Sequence, residues 1–336
     1  MAKTISEISE ATGYSRTTIT MVLNGRAEQY RISKRAQKII TDYVAKHGVT
    51  INQTARNLKT SRSRTVGFIA PDLANTFFAR IMARLEEYCR AEDLVLITTS
   101  SRESPQLEQK ALRSLLERGV DGLVVAPCSP LQAQAAQRSA KAVPLVLIDR
   151  DYDVRSFPVV SSDHEASARN LTREMISSGV ANIAFLCGHP DIPSVQARMG
   201  GFRAAIAEAQ FDVNDTQLLS DEEDSVEAGQ RMMEALLQDP QKSPAAILCS
   251  SLLVLEGALY QLKLTTGSIP SEMMIGAFDY DGMLHSLPNP VVIARQDEDA
   301  LAKSAFQLLF QQMQSDAPIG NSKEIFPAEM MRLDTP

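Results

Sequence analysis

The spacing of apolar residues changes twice along the chain, and the changes divide it into three stretches. Over the first fifty residues the apolar positions recur at three and four. Ile5 and Ile8, with Ala11 a turn later, predict a short helix, and Thr4 with Glu7 three residues on is a capping-box start. Gly13 supplies the permissive backbone of a sharp turn. Ser15 then caps a second helix whose Ile19, Val22 and Leu23 face inward, leaving Arg16, Thr17 and Thr20 outside near its N-terminal end. A third helix opens at Ser33, carries Ala36, Ile39, Ile40, Tyr43 and Val44 as one stripe, and closes at His47-Gly48. Two short helices about a tight turn outline a helix-turn-helix, in which the start of the second helix reaches base edges in the major groove. Spacing alone fits a helical hairpin that merely packs as well.

From residue 51 to 64 the stripe is lost. Asn52 to Lys59 makes at best a marginal helix, or a plain linker, and Lys59-Thr60-Ser61-Arg62-Ser63-Arg64 is a polar, basic boundary. From Thr65 short apolar runs alternate with amphipathic segments. Strands are expected at Thr65–Ala70, Leu94–Thr98, Leu123–Ala126 and Pro144–Ile148, with helices between them, one from about Thr76 to Arg90 and one opened by Ser104-Pro105 and closed by Gly119. The pattern restarts near Asn182, with strands at Ile183–Cys187, Ala245–Cys249, Met273–Phe278 and Val291–Ala294. Helices are expected at Val195–Ala209, Leu252–Leu262 and from about Glu298 to Gln312. Such alternation predicts parallel sheets covered on both faces. The expected class is therefore α/β: a helical headpiece over 1–50, a hinge over 51–64, and a two-lobed core over 65–336. Lobe one would span about 65–160 and 295–320, and lobe two about 162–290 and 321–336, the lobes exchanging strands near Val159–Ser161, near Val291–Ala294 and again near the C-terminus.

Charge changes the picture of the first stretch. Residues 1–64 hold 12 Lys and Arg against 4 Asp and Glu, a net of +8, leaving −15 on the remainder of a chain whose total is −7. Asymmetry of this size points to nucleic acid at the basic end, and Lys34, Arg35 and Lys38 are candidate phosphate contacts or simply a solvated face. No apolar run approaches the ~20 residues of a membrane helix, and no leader precedes the first helix, so a cytoplasmic protein is expected. Cys89, Cys128, Cys187 and Cys249 lie far apart, so neither zinc nor a disulfide framework is indicated. His47, His164, His189 and His285 have no metal spacing, and only His189 is expected near a cleft. There is no P-loop, G-x-S-x-G or H-E-x-x-H, so no enzymatic activity, cofactor or metal is expected. No heptad repeat follows the last lobe, which disfavours a tetramerising coiled coil.

The run Gly13-Tyr14-Ser15-Arg16-Thr17-Thr18-Ile19-Thr20-Met21-Val22-Leu23-Asn24-Gly25 resembles the headpiece of the lactose/galactose repressor family of bacterial transcription factors. The likeness continues more loosely over essentially the whole chain, and the long connection Gly25 to Ser33 is similar to the fructose and sucrose repressor branch. The resemblance implies a dimeric repressor of a carbohydrate-utilisation operon, with a periplasmic-binding-protein-like core and a sugar effector between its lobes. It places operator contacts at Thr4, Ser15, Arg16, Thr17, Thr18, Thr20, Asn24, Arg31 and Ser33, and in a hinge helix at Asn52, Ala55 and Leu58. Leu58 matches a leucine that wedges into the minor groove, offsetting unstacking with a bent DNA that contacts more protein. Ile51 stands where the family usually has proline, and Met21 where many relatives are polar or basic.

Open parallel sheets bind ligands outside the carboxyl ends of their strands. Next after the expected strands are Asp72, Asn75 and Phe77; Cys128 and Ser129; Asp149 and Arg150; then, in lobe two, His189 and Arg198, Ser250 and Ser251, Asp279 and Tyr280, and Gln296. Carboxylates, two arginines, an amide and aromatics suit a polyhydroxylated ligand. Asp149 as a loop cap and Arg198 as a surface ion pair are the plain alternatives. The resemblance places sugar contacts at Asp149, Arg198, Asp279 and Gln296. Ser250-Ser251 replace its usual Asn-Asp and Tyr280 its usual second acid, and fewer acids beside retained arginines point toward a phosphorylated hexose of the fructose kind. Asp221-Glu222-Glu223-Asp224 reads as a solvated loop. A sugar-binding protein without DNA binding, and a repressor that uses its ligand as co-repressor, are the other readings.

Overall fold

The computed structural model describes residues 2–50, 62–131, 137–138, 141–153, 155–210, 216–238, 244–315 and 321–333. They belong to two compact units, Met1–Ser63 and Arg64–Pro336.

In the smaller unit β1 (Lys3–Thr4) leads into α1 (Ile5–Thr12), α2 (Arg16–Leu23) and α3 (Lys34–His47), and β2 (Val49–Thr50) returns to pair in parallel with β1. Each helix starts on the hydroxyl expected from sequence. Thr4 and Glu7 form a reciprocal capping box, Ser15 accepts from the Thr18 N–H, and Ser33 accepts from the Ala36 N–H. Gly13 ends α1 at φ +72°, a left-handed conformation that favours glycine. Ile8, Ile19 and Ile40 are fully buried, one from each helix, with Ile5, Tyr14, Val22, Leu23, Tyr43 and Val44 packed around them. Ala11 and Ile39 do not join this core: Ala11 is exposed and Ile39 is 38% exposed. Ile39 lies about 100° around α3 from Ile40, and helices this short leave room for one stripe rather than two.

The larger unit runs β3 (Thr65–Ala70), α4 (Thr76–Ala91), β4 (Val95–Ser100), α5 (Pro105–Arg118), β5 (Gly122–Val125), β6 (Gln137–Arg138), β7 (Lys141–Ala142), β8 (Leu145–Ile148) and β9 (Val159–Ser162). It continues with α6 (His164–Ser177), β10 (Ile183–Gly188), α7 (Pro193–Glu208), β11 (Thr216–Asp221), α8 (Val226–Leu237), β12 (Ala246–Cys249), α9 (Leu252–Thr266), β13 (Met274–Phe278) and β14 (Val291–Arg295). It ends with α10 (Glu298–Gln314), β15 (Lys323–Phe326) and β16 (Glu329–Leu333). Two six-stranded sheets result, in the orders β15-β9-β8-β5-β3-β4 and β11-β10-β12-β13-β14-β16. All neighbours are parallel except β14 and β16. The register sets Val66 beside Leu96 and Gly122.

Both sheets are covered on both faces, which is why the inner strands β3, β5, β8, β10, β12, β13 and β14 are nearly continuous apolar runs rather than alternating ones. In lobe one α4 and α10 cover one face and α5 the other. In lobe two α8 and α9 cover one face, α6 and α7 the other. Phe68, Phe185 and Phe278 are at most 1% exposed, and each fully buried side chain of this kind contributes about 1.5–3 kcal/mol. Helices α8 and α9 meet backbone to backbone, because a Cβ at Gly229 or Gly257 would overlap the facing carbonyl of Val254 or Val226.

The chain passes between lobes three times, at Ser162–His164, Arg295–Glu298 and Phe326–Glu329. Residues 323–326 join the sheet of lobe one, where sequence placed 321–336 wholly in lobe two. Helix α10 covers the first sheet, and a chain leaving it lands most directly on that sheet's edge strand, β9. Helix α6, strand β11 and helix α8 were not anticipated. Buried Ser167 and Thr172 dilute the stripe of α6, and β11 is a half-buried edge strand without a clean alternation. Between the third and fourth expected strands no helix occurs among the described residues, and Gln137–Arg138 and Lys141–Ala142 form a short antiparallel ladder.

Candidate functional site

Two places gather the residues singled out by sequence. The first is the surface of the small unit. Thr4, Ser15, Arg16, Thr17, Asn24, Arg31 and Ser33 are exposed, and Thr18 and Thr20 are half-buried. Several are already engaged. Ser15 and Thr18 share a 2.9 Å hydroxyl contact at the start of α2, and the Thr20 hydroxyl donates to the Arg16 carbonyl at 2.8 Å. Thr4 and Ser33 are caps, Asn24 closes α2, and Arg31 adopts φ +51° in the turn before α3. Arg16 and Thr17 keep exposed side chains at the helix start, where a major-groove reader presents them. Asn52, Ala55 and Leu58 lie outside the described residues.

The second place lies between the lobes, at the carboxyl ends of both sheets. Asp149 and Asp279 sit one residue past β8 and β13, each at φ +69° and each nearly buried. Arg150 is 4% exposed and makes a bidentate pair with Glu103, at 2.7 and 2.6 Å, with its guanidinium 5.9 Å from the Phe78 ring centroid. Arg198 is 5% exposed, lies 4.2 Å above the Phe278 ring, and donates to the Ser250 carbonyl and to His164 Nδ1. Gln296, on the second crossover, donates to Asp279 Oδ1 at 2.6 Å. Arg150 Nε, Arg198 Nε and Gln296 Oε1 are buried without a hydrogen-bond partner. Beside this network a cavity of about 390 Å³ is lined by Pro71, Asp72, Asn75, Phe78, Arg102, Glu103 and Arg150 from lobe one and by Asp224 and Leu253 from lobe two.

The carboxyls are tuned in different directions. Burial opposes ionisation of Asp149, but the hydrogen bond from His164, with the charges of Arg150 and Arg198, outweighs it and holds the group below its ordinary range. Desolvation pushes Asp279 up, and the nearby Asp149 and Glu298 add to this against the opposing pull of Arg198 and Gln296. Desolvation also raises Asp224, against a 2.6 Å bond from the Ser251 hydroxyl. Glu108 is fully buried and raised by desolvation. It accepts from the Cys128 N–H at 2.6 Å and the Ser129 hydroxyl at 2.9 Å, and so fixes the loop after β5. Desolvation raises the Cys128 thiol to about 12, and it stays protonated at neutral pH.

Of the cleft residues expected from sequence, Asp72, Asn75 and Arg150 line the cavity, while Asp149, Arg198, Asp279 and Gln296 form the network beside it. Phe77 instead enters the lobe-one core, and Phe78 takes the cavity wall. Ser129 is bound to Glu108, and the Ser250 hydroxyl accepts from the Gly188 N–H, so both serve the framework. Asn75 also caps α4 through the Phe77 N–H. Four polar participants among the described residues escaped the sequence reading. Arg102 and Glu103 come after β4, Asp224 after β11, and His164 after β9. The strand-end rule would have found them had it been applied to every strand. Asp224, read as part of a solvated loop, is on the cavity wall, and His164, which the sequence reading left outside the cleft, belongs to its network.

Among the described residues no helix is long and apolar enough to cross a membrane. The chain is 29% identical over 306 residues to a catabolite repressor/activator of Salmonella typhimurium, covering 91% of this chain and 90% of that protein. It is 27% identical over 315 residues to the sucrose operon repressor of Klebsiella pneumoniae, covering 94% and 93%. Its fold matches the Cra transcriptional dual regulator of Pseudomonas putida, solved with fructose 1-phosphate, at a TM-score of 0.73 and 29% identity over 81% of this chain and 99% of that one. Residues 63–311 match the model of periplasmic binding proteins and the sugar binding domain of the LacI family, and the chain belongs to that family.

Proposed function

We propose that this protein is a dimeric transcriptional repressor of a carbohydrate-utilisation operon, released from its operator by a phosphorylated hexose bound between the lobes. Its relatives are named as a catabolite repressor/activator, a sucrose operon repressor and a fructose operon regulatory protein. The observation that carries the effector reading is the buried interlobe network in which two guanidiniums and an amide keep unpartnered polar atoms. Asp149, Asp279, Arg198 and Gln296 bind sugar hydroxyls, and the Phe78 ring takes an apolar sugar face. An anionic group goes to Arg150, where it exchanges with Glu103. The complex of the Pseudomonas putida relative with fructose 1-phosphate supports that class of ligand.

In the headpiece Arg16, Thr17 and Thr20 read base edges, and Ser15, Thr18, Asn24, Arg31, Ser33 and Thr4 hold the backbone and the helix start on DNA. Asn52, Ala55 and Leu58 complete the contact in the hinge. Two headpieces of a two-fold dimer occupy the half-sites of an imperfect palindrome, and the protein acts in the cytoplasm, where that DNA is. The ligand works by favouring one lobe arrangement. Swinging the equilibrium from 1:99 to 99:1 takes about 10⁴-fold differential affinity. Leu58→Ala is expected to weaken operator binding and leave effector affinity unchanged.

The test is fluorescence anisotropy with operator-length DNA at two salt concentrations, alone and with fructose, sucrose, fructose 1-phosphate and fructose 1,6-bisphosphate. Salt-sensitive binding released by a phosphorylated sugar is the expected result. Release by free sugars alone removes the phosphate from the proposal, and tightening makes the ligand a co-repressor. No DNA binding under any condition leaves only the second reading, a sugar-binding protein.

A further inference from the structure

We infer that His164 is the positioning residue that joins the two halves of the cleft, and that its protonation makes effector capture acid-sensitive. The inference rests on the effector reading above. His164 is the first residue of α6, directly after the chain crosses from lobe one to lobe two, and it is 7% exposed. Its Nδ1 lies 3.3 Å from Arg198 Nη2 in lobe two. Its Nε2 lies 3.2 Å from the Asp149 carbonyl, 3.4 Å from Asp149 Oδ1 and 3.2 Å from the Ser161 hydroxyl, all in lobe one.

The donor chemistry sets the proton positions. A guanidinium only donates, so Nδ1 accepts, and the imidazole is neutral with its proton on Nε2. That proton points at Asp149, while the Ser161 hydroxyl donates to the Asp149 carbonyl at 2.7 Å. One ring therefore aims Arg198 and holds Asp149, two groups on different lobes. It does so only in one tautomer and one charge state.

Protonation places an N–H on Nδ1 against the Arg198 N–H, cation against cation, and strengthens the pull on Asp149. Arg198 loses its aim while Asp149 is held more tightly. The other charges around the ring do not substitute for the relay. Arg150 beyond Asp149 is occupied by Glu103, and Asp279 faces Arg198 from the end of β13. On the ring's own segment the Asp163 carboxylate caps α6 through the Ala166 N–H, and Glu165 lies in the first turn.

The test compares wild type with His164→Asn, whose amide oxygen can accept from Arg198 and cannot titrate. Fructose 1-phosphate affinity is measured by calorimetry between about pH 5 and pH 8, the interval in which imidazoles change charge. The ligand's own phosphate titration is common to both proteins and cancels in the comparison. Each protein is referred to its own affinity at the alkaline end, and wild type is expected to lose about tenfold more of it on acidification than His164→Asn. Parallel profiles overturn the inference. Nitrogen-15 NMR of the imidazole in the free protein gives a second reading that needs no ligand. The Nε2–H tautomer at the alkaline end is expected, and an Nδ1–H or doubly protonated ring there overturns the relay. If no sugar phosphate binds wild type at any pH, the effector reading fails and takes acid-sensitive capture with it. The NMR result then decides the relay alone.

Discussion

The corners after Ile148 and after Phe278 use the same backbone and reach opposite electrostatic results. In each an aspartate stands one residue past its strand at φ +69°. In each its N–H donates to the adjacent strand that carries the chain to the other lobe, Asp149 to Val160 at 2.8 Å and Asp279 to Ala294 at 3.0 Å. Their neighbours differ. Asp149 is succeeded by Arg150 and faced by His164 and Arg198, which hold it ionised. Asp279 is succeeded by Tyr280 and accepts from an amide, and its desolvation, with two other carboxyls nearby, outweighs the pull of Arg198 and raises it. Pairing a repeated backbone device with different neighbours gives one cleft both a carboxyl whose ionisation is favoured and one whose ionisation is opposed.

The largest expected break in that comparison comes from Arg198, the cation shared by both corners. Arg198→Ala should lower effector affinity by about 100-fold, near 3 kcal/mol, because it removes a charged hydrogen bond to the Ser250 carbonyl and the cation beside Asp279. Calorimetry with fructose 1-phosphate measures it.

Asparagine at each corner should separate the two in stability. Asp149→Asn removes a favourably placed charge and is expected to cost about 2 kcal/mol in urea unfolding near pH 7, whereas Asp279→Asn should be neutral or slightly stabilising. The pH dependence has opposite signs. The depressed Asp149 contributes stability above the ordinary carboxylate range, lost as pH falls through its lower folded value. The raised Asp279 contributes stability below that range, lost as pH rises through its higher folded value. The two substitutions should therefore tilt the acid limb of the stability profile in opposite directions.

Next in size is Glu103→Gln, which weakens the internal partner of Arg150. It should raise affinity for fructose 1-phosphate by about tenfold and leave affinity for fructose unchanged, as Glu103 competes with the phosphate alone. Equal changes for both ligands would show that the anion does not use Arg150. Smallest is Phe78→Leu, expected to weaken effector binding a few fold with little loss of stability, while Phe77→Leu should do the reverse.

That last pair shows where local pattern stops. Successive residues on a helix are about 100° apart, so Phe77 and Phe78 differ by the turn that separates core from cleft, and only the docking of α4 on its sheet decides which is which. Ser250 was legible as a strand-end residue, yet its hydroxyl is spent on the Gly188 N–H. Glu103, Asp224 and His164 share the same strand-end logic, but β11 and β9 carry weaker strand signals, and a solvated acidic loop is the usual fate of a run such as Asp221 to Asp224.

The sequence by itself determined the strand–helix alternation, the basic headpiece with its three hydroxyl caps, and the strand-end acids and arginines. Each depends on residues within a few positions of one another, and periodicity, capping and charge are local properties of a chain. Only the tertiary structure decided which of those polar groups face one another: Arg150 against Glu103, Arg198 against His164, Asp279 against Gln296. These partners are 17 to 47 positions apart in sequence, and all but the first pair stand at or beyond the chain's crossings between lobes. Burial at that junction sets their protons and their aim. A desolvation cost belongs to a place in space, and no stretch of sequence carries it.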